Sequence, residues 1–388
     1  LCFQSLVAEF WDCRGNCDMK LIVTEEETLL RDAARMLLSR TAPISKLREM
    51  RDKGEVQDPR IWKEFTQAGW SAVLVPQSCG GADMGHAAAL VLAREMGRNL
   101  TASPFISTAV IAASTLRQFA DKASSERLNA IAQGGLTYAL ALDETAKFNP
   151  DQISLSARKR GNGYVLKGKK RFVVDGGTAD RLLVLAKTED GLGLFDVANS
   201  CAEIQNTPRQ MIDSRDVADL EFQDLEVSGE ALLRQANDAM TLVGTGVLAG
   251  QAALAAETLG LAEAAFEMTS SYLKERKQFG VPIGSFQALQ HRSAHLWCEI
   301  EVTHSAIMNA GRALDHDPQT AALAVNVAKA RATETAQKVV QEGVQMHGGI
   351  GMTDAFDMGF YMKRARVAAE WLGDYGYHAA QVAHLRGF

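Results

Sequence analysis

Glu275-Arg276-Lys277-Gln278-Phe279-Gly280-Val281-Pro282-Ile283-Gly284-Ser285-Phe286-Gln287 is the stretch on which the fold turns. It reads as a helix end rich in cations, a Gly/Pro turn, and a new helix that starts at Ser285. Upstream, the Ala-rich run from about Ala236 to Arg276 predicts one long helix; downstream, the runs 286–315, 318–346 and 354–372 predict three more. Long helices joined by short turns and weakly charged on one face form a bundle. The corner also presents guanidinium and backbone N–H donors together, which suits a pyrophosphate. A basic last turn favoured by the helix dipole would give the same residues without any ligand.

Ahead of the bundle the pattern differs. From Thr137-Tyr138-Ala139-Leu140-Ala141-Leu142 onward, short β-rich runs (YVLKGKKRFVVDG, RLLVLAKT, GLGLFDV, ADLEFQDLEVS) alternate with Gly, Asn and Asp turns, as a compact antiparallel sheet or barrel requires. Before that, TEEETLLRDAARMLLSR from Thr24 is a capped amphipathic helix, with further helical stretches at Pro59 to Ala68 and His86 to Arg98. The order is helix, sheet, helix. It predicts an α+β protein with a helical domain over 19–136, a β domain over 137–228 and a helical bundle over 229–388, the bundle being a surface for other subunits.

Composition narrows the function classes. The chain has 388 residues with 41 Lys+Arg against 47 Asp+Glu, a formal charge of −6, and 47% hydrophobic residues. That is ample core for two or three domains and a poor match to a chain that grips nucleic-acid backbones. Of six cysteines, Cys2, Cys13 and Cys17 fall in the opening stretch and Cys79, Cys201 and Cys298 are scattered, so no metal-ligand spacing survives and no metal is expected. Reduced thiols fit the cytoplasm. Leu1-Cys2-Phe3-Gln4-Ser5 resembles the scar of a cleavable tag and Met19 a natural start, so residues 1–18 are set aside. No run approaches 18 consecutive apolar residues, and no membrane span is expected.

A second motif, Gln345-Met346-His347-Gly348-Gly349-Ile350-Gly351-Met352, follows a long helix with three glycines. They permit positive φ and a close backbone approach to a ligand, although an ordinary glycine stop would look alike. His347 is read as a packed or capping residue. Together with the corner at Arg276, with VPQSCGGADMG (75–85), Ala141-Leu142-Asp143-Glu144 and Lys167-Gly168-Lys169-Lys170-Arg171-Phe172-Val173-Val174-Asp175-Gly176, this order of motifs resembles the acyl-CoA dehydrogenase family from about Leu21 to Leu385.

The resemblance implies FAD, a fold of helices, β-barrel and four-helix bundle, and a homo- or hetero-oligomer in which one subunit completes its neighbour's cofactor site. Carried over by position, Arg276, Phe279 and Gln287 would contact the ADP half of a neighbour's FAD, and Gln345, Gly348 and Gly349 would line the same pyrophosphate from the other chain. Leu142, Asp143, Phe172 and Val174 would flank the isoalloxazine. The family usually has Trp and Thr where Phe172 and Val174 stand, and Thr at Asp143. The implied reaction is α,β-dehydrogenation of an acyl-CoA to a 2-enoyl-CoA: a carboxylate removes the α-proton, the β-hydrogen passes as hydride to flavin N5, and electrons go on to an electron-transfer flavoprotein or similar acceptor.

The base is where this chain departs from the family. Leu372 stands where the family has its Glu, and Gly250 stands at the alternative position on the first bundle helix. Glu257 lies seven residues beyond Gly250, about 20° from the same face and roughly 10 Å along the axis, so it is one candidate base. Asp374 is the other, and Glu370 a third. Small residues from Gly250 to Ala256 suggest room for a bulky or ring-bearing acyl group. Two alternatives keep the fold: a flavin monooxygenase or oxidase, and a base-less subunit of a heteromeric acyl-CoA dehydrogenase.

Overall fold

The computed structural model describes residues 21–119 and 121–388; the tag-like opening with Cys2, Cys13, Cys17 and Met19 lies outside them. The first block is helical: α1 (Glu25–Thr41), α2 (Ile44–Lys53), α3 (Pro59–Gln67), α4 (Gly85–Arg98), α5 (Phe105–Leu116) and α6 (Lys122–Ala132). α1 starts where its sequence directs. The Thr24 hydroxyl accepts from the Glu27 N–H at 3.1 Å while the Glu27 carboxylate accepts from the Thr24 N–H at 2.9 Å, a reciprocal cap. α5 opens as a π-helix over Phe105–Ala112 and is buried throughout.

The middle block is an eight-stranded sheet of β1 (Tyr138–Ala141), β2 (Ser156–Arg160), β3 (Gly163–Val174), β4 (Arg181–Thr188), β5 (Gly191–Ala198), β6 (Ile204–Pro208), β7 (Val217–Ser228) and β8 (Leu232–Ala236). The ladder runs β6-β7-β3-β2-β4-β5-β8, with β1 beside β4. Most pairs are antiparallel, but β1 runs parallel to β4, Tyr138 opposite Arg181. A hairpin does not set its direction; the chain between β1 and β4 runs through β2 and β3, the long connection that a parallel pair needs, and β2 also meets β4 in parallel at Ser156 and Lys187. β4 explains its unbroken apolar spelling, because Leu182 to Ala186 are all buried, with β1 and β5 on its two edges. β8 carries the sheet past Ser228 to Ala236.

The last block holds α7 (Ala239–Glu275), α8 (Gln287–His316), α9 (Pro318–His347), α10 (Met358–Ala368) and α11 (Tyr375–Leu385). α7 is long and apolar enough to cross a membrane, yet 78% of its apolar window is buried inside the protein, where it forms the axis of the bundle. Its small residues have a use that the sequence reading missed. A Cβ at Gly97 of α4 would lie 1.9 Å from the Glu257 carbonyl oxygen, and one at Gly260 would lie 1.8 Å from the Arg94 carbonyl oxygen. Backbone therefore meets backbone between α4 and α7. Gly250 is likewise closed over by Ile111 and Leu372, and Ala252 to Ala256 are fully buried. The run from Gly250 to Ala256 serves close helix packing and leaves no room for a bulky group.

Gly97→Ala is expected to destabilise the fold by about 3 kcal/mol, the upper part of the overpacking range, since the added methyl meets backbone, not a side chain that can move. Urea unfolding measures this; an unchanged midpoint would show that α4 and α7 are not in such close contact.

Candidate functional site

The cation corner is built as a tight hairpin. Lys277–Gln278 (β9) and Val281–Pro282 (β10) pair antiparallel, and between them Phe279 and Gly280 both take positive φ, 52° and 81°. Such a two-residue turn matches strand twist but strains a phenylalanine, whose ring ends 92% exposed. Arg276 and Gln287 are exposed on either side of it. One helical turn before Arg276, Tyr272 stacks on His347 with ring centroids 4.5 Å apart, which brings the glycine turn to the same end of the bundle. His347 is buried with Nδ1 on the Gly343 carbonyl oxygen at 2.6 Å, a packed residue. Gly348, at φ 64° and ψ −141°, holds a conformation that favours glycine, and Gln345, Gly348 and Gly349 are open to solvent.

The second group meets elsewhere. Asp143, Phe172 and Val174 line one cavity of about 510 Å³ between the sheet and α10, with Lys147, Met211, Arg366, Glu370 and Trp371 among its other walls. Leu142 is buried behind it, its carbonyl oxygen accepting from Lys170 Nζ at 3.0 Å. None of the six bundle-end residues lines this cavity. Phe172 sits at φ 51° with its N–H donating to Asp219 Oδ1 at 3.1 Å, and the guanidiniums of Arg171 and Arg209 lie 5.8 and 5.6 Å from its ring centre. A flat aromatic is thereby held at the cavity wall between two cations.

Neither family position for the base holds a titratable group, and the two positions touch. A Cβ at Gly250 would stand 3.1 Å from Leu372 Cδ1 and 2.6 Å from Ile111 Cγ1. Leu372 takes φ 58° and is buried; Gln251 Nε2 donates to its carbonyl oxygen at 2.9 Å, and Lys329 Nζ donates to the Ala368 and Gly373 carbonyls at 2.9 and 3.4 Å. The loop is firmly held with an apolar side chain pointing at Gly250.

The three carboxylates weighed as a base, Glu257, Asp374 and Glu370, are engaged. Glu257 takes two bonds from Arg364, Nε and Nη2 each at 2.9 Å, and lies 2.9 Å from Arg215; Arg364 also reaches Asp213 at 2.9 Å. Burial would raise the Glu257 carboxyl, but Arg215 and Arg364 outweigh it and hold it below the usual range. That is a structural counter-ion, ill suited to take a proton. Its neighbourhood is a cavity of only about 30 Å³ that shares Val174 and Trp371 with the larger one. Asp374 caps α11, accepting from the Tyr377 N–H at 2.9 Å and from Lys147 Nζ at 2.9 Å; Lys147 and this N–H hold its carboxyl low. Glu370 bonds Lys147 and Arg366 at 2.5 Å each.

Sequence reading missed Lys147, Lys170, Arg215 and Arg364. Asp213-Ser214-Arg215-Asp216 and a lone arginine on an apolar helix face were the available signals, and neither names its partner.

Two family models match the chain: acyl-CoA dehydrogenase N-terminal domain over residues 24–135 and acyl-CoA dehydrogenase C-terminal domain over 237–385. Acyl-CoA dehydrogenase IpdE2 of Mycobacterium tuberculosis is 31% identical over 351 residues, covering 90% of this chain and 93% of that one. Among solved structures, a variant of the Tcur3481-Tcur3483 steroid ACAD superposes with a TM-score of 0.83 at 28% identity, covering 94% of this chain and 98% of that one. The ChsE4-ChsE5 complex of Mycobacterium tuberculosis shares the fold with a TM-score of 0.87 at 24% identity, covering 95% and 99%.

Two buried acids should titrate with opposite signs. Glu257→Gln at neutral pH leaves two guanidiniums facing a neutral amide and should cost about 3–5 kcal/mol in unfolding free energy. The Glu257 contribution is whole above the unfolded carboxylate range and is lost as pH falls through its lowered folded value. Asp175, accepting from the Ser107 hydroxyl, is pushed up to about 7 by burial, with Asp216 adding to this and Ser107 opposing it. Its contribution is whole below the unfolded carboxylate value and is lost as pH rises toward 7. Denaturant unfolding across pH should show that Asp175→Asn removes this decline; an unchanged profile would refute the assignment.

Proposed function

Because the chain belongs to the acyl-CoA dehydrogenase family of oxidoreductases, we propose that it holds FAD and acts in the α,β-dehydrogenation of an acyl-CoA thioester as one of two unlike subunits, the proton-abstracting carboxylate residing on the other. The observation that carries this reading is the contact of Leu372 with Gly250: the two positions from which a base would act are neighbours, and both are apolar. Glu257 and Asp374, the carboxylates that the sequence offered instead, are committed to Arg364 and Arg215 and to Lys147.

The cavity at the sheet suits a flavin ring by its volume of about 510 Å³ and by an unsatisfied group, since one carboxyl oxygen of Asp143 is buried there without a hydrogen-bond partner. Asp143, Phe172 and Val174 would flank the ring, with Leu142 fixing the strand behind them. Arg276, Phe279 and Gln287, exposed at the bundle end, would grip the ADP half of the neighbouring subunit's FAD, and Gln345, Gly348 and Gly349 would line the pyrophosphate. Bound FAD supplies the hydride acceptor. Gly250, Ile111 and Leu372 pack against one another and offer no proton acceptor. Lys147 and Arg366 together balance Glu370 and Asp374 beside the cavity. An electron-transfer flavoprotein or similar acceptor would take the electrons. The two-name assemblies among the similar structures, ChsE4-ChsE5 and Tcur3481-Tcur3483, support a partner of unlike sequence.

The test is anaerobic flavin bleaching. The purified chain loaded with FAD should show none with straight, branched or ring-bearing acyl-CoA thioesters, and co-expression with a partner chain should restore it. Bleaching by the chain alone that disappears in Glu257→Gln or Asp374→Asn would overturn the reading. Rapid oxidation of the reduced flavin by oxygen would point instead to the oxidase alternative.

A further inference from the structure

We infer that Asp143 is a proton-carrying contact of the bound flavin ring, so that the pocket takes up a proton when it takes up FAD. The inference rests on the FAD reading above and concerns a residue at which this chain departs from the family's threonine.

The geometry isolates this one carboxyl. Asp143 follows β1 and lines the cavity of about 510 Å³ beside Phe172 and Val174. Its backbone carbonyl accepts from the Arg171 N–H at 2.8 Å, which ties it to β3 and fixes where the side chain starts. Three cations lie near in the chain or across the strands, and each is engaged elsewhere: Lys147 with Glu370 and Asp374, Arg171 with Asp219, and Lys170, whose Nζ donates to the Leu142 carbonyl at 3.0 Å and to Glu144 Oε1 at 2.7 Å. Glu144 is satisfied in turn by the N–H groups of Ser154 and Leu155 at 2.7 and 3.0 Å. Across the cavity, Lys147, Arg366 and Glu370 close a charge set of their own. Asp143 forms no ion pair among the described residues, and its Oδ1 is buried without a hydrogen-bond partner.

A buried carboxyl without a counter-ion favours its neutral form. Burial already pushes Asp143 up to about 6, opposed by the Asn149 N–H and the field of Lys170. Covering the cavity with a planar ring removes more water and raises it further. The protonated acid then has an O–H to donate, and an isoalloxazine edge offers ring nitrogen and carbonyl acceptors. Threonine would donate at every pH, whereas aspartate donates only while it holds its proton. The sign follows from the linkage: affinity is greatest below the free-pocket value and declines as pH rises through the bound one, by up to about tenfold per pH unit between the two.

The experiment measures FAD binding to the apoprotein by quenching of flavin fluorescence from pH 5.5 to 8.5, with calorimetry in two buffers of different ionisation enthalpy. The unsubstituted chain should bind at least about fivefold more weakly at pH 8 than at pH 6 and take up roughly half a proton or more on binding near pH 6.5 to 7. Asp143→Asn and Asp143→Thr should both bind with a flat profile and no uptake, and the threonine variant serves if the asparagine variant does not fold. An equal slope in the variants, or no proton uptake by the parent chain, overturns the inference while leaving FAD binding intact. Failure of every form to bind FAD at any pH overturns the functional reading as well.

Discussion

The structure depends on the buried ion network centred on Glu257. Four elements meet there: α7 supplies the carboxylate, α10 supplies Arg364, the segment between β6 and β7 supplies Asp213 and Arg215, and α4 presses Gly97 against the Glu257 backbone. A carboxylate removed from water is costly unless it is paired and hydrogen-bonded, and here two guanidiniums satisfy it. Such a network specifies one arrangement, because sliding α10 by a turn would leave at least two charges unpaired. The sheet and the bundle are thereby fixed to each other.

That fixation has a chemical consequence. The group that looked most like a base in the sequence is held by two arginines below the usual carboxylate range. The small residues that looked like room for an acyl group let helices approach to backbone contact. What remains open is the larger cavity on the sheet side, separated from the small one by Val174 and Trp371. One wall thus has flavin-sized space, and the adjoining wall is filled with packed charge.

The acids around the larger cavity differ in the same physical terms. Asp374 is held as an anion by Lys147 and by the first turn of α11. Asp143 has no such partner, so it keeps its charge or gives it up according to what covers it. Two aspartates near one cavity therefore behave in opposite ways because of what stands beside them, and neither behaviour could be read from the residue alone.

Much of the architecture was legible in the sequence. The capping box at Thr24, the long Ala-rich helices, the unbroken apolar run of β4 and the hairpin at Phe279 are local statements, set by hydrogen-bond termini, side-chain period and turn stereochemistry within a few residues. Two things the sequence misjudged: the parallel pairing of β1 with β4 and the use of Gly250 to Ala256 both depend on where distant segments arrive. Asp143, Phe172 and Val174 could be named from the sequence, and the fold decided that they share a cavity. The absence of Glu at Leu372 was equally plain in the sequence. That Gly250 lies against it, and that Glu257 is neutralised by two arginines far along the chain, only tertiary structure could decide, because a carboxylate's basicity belongs to its surroundings and those come from remote parts of the chain.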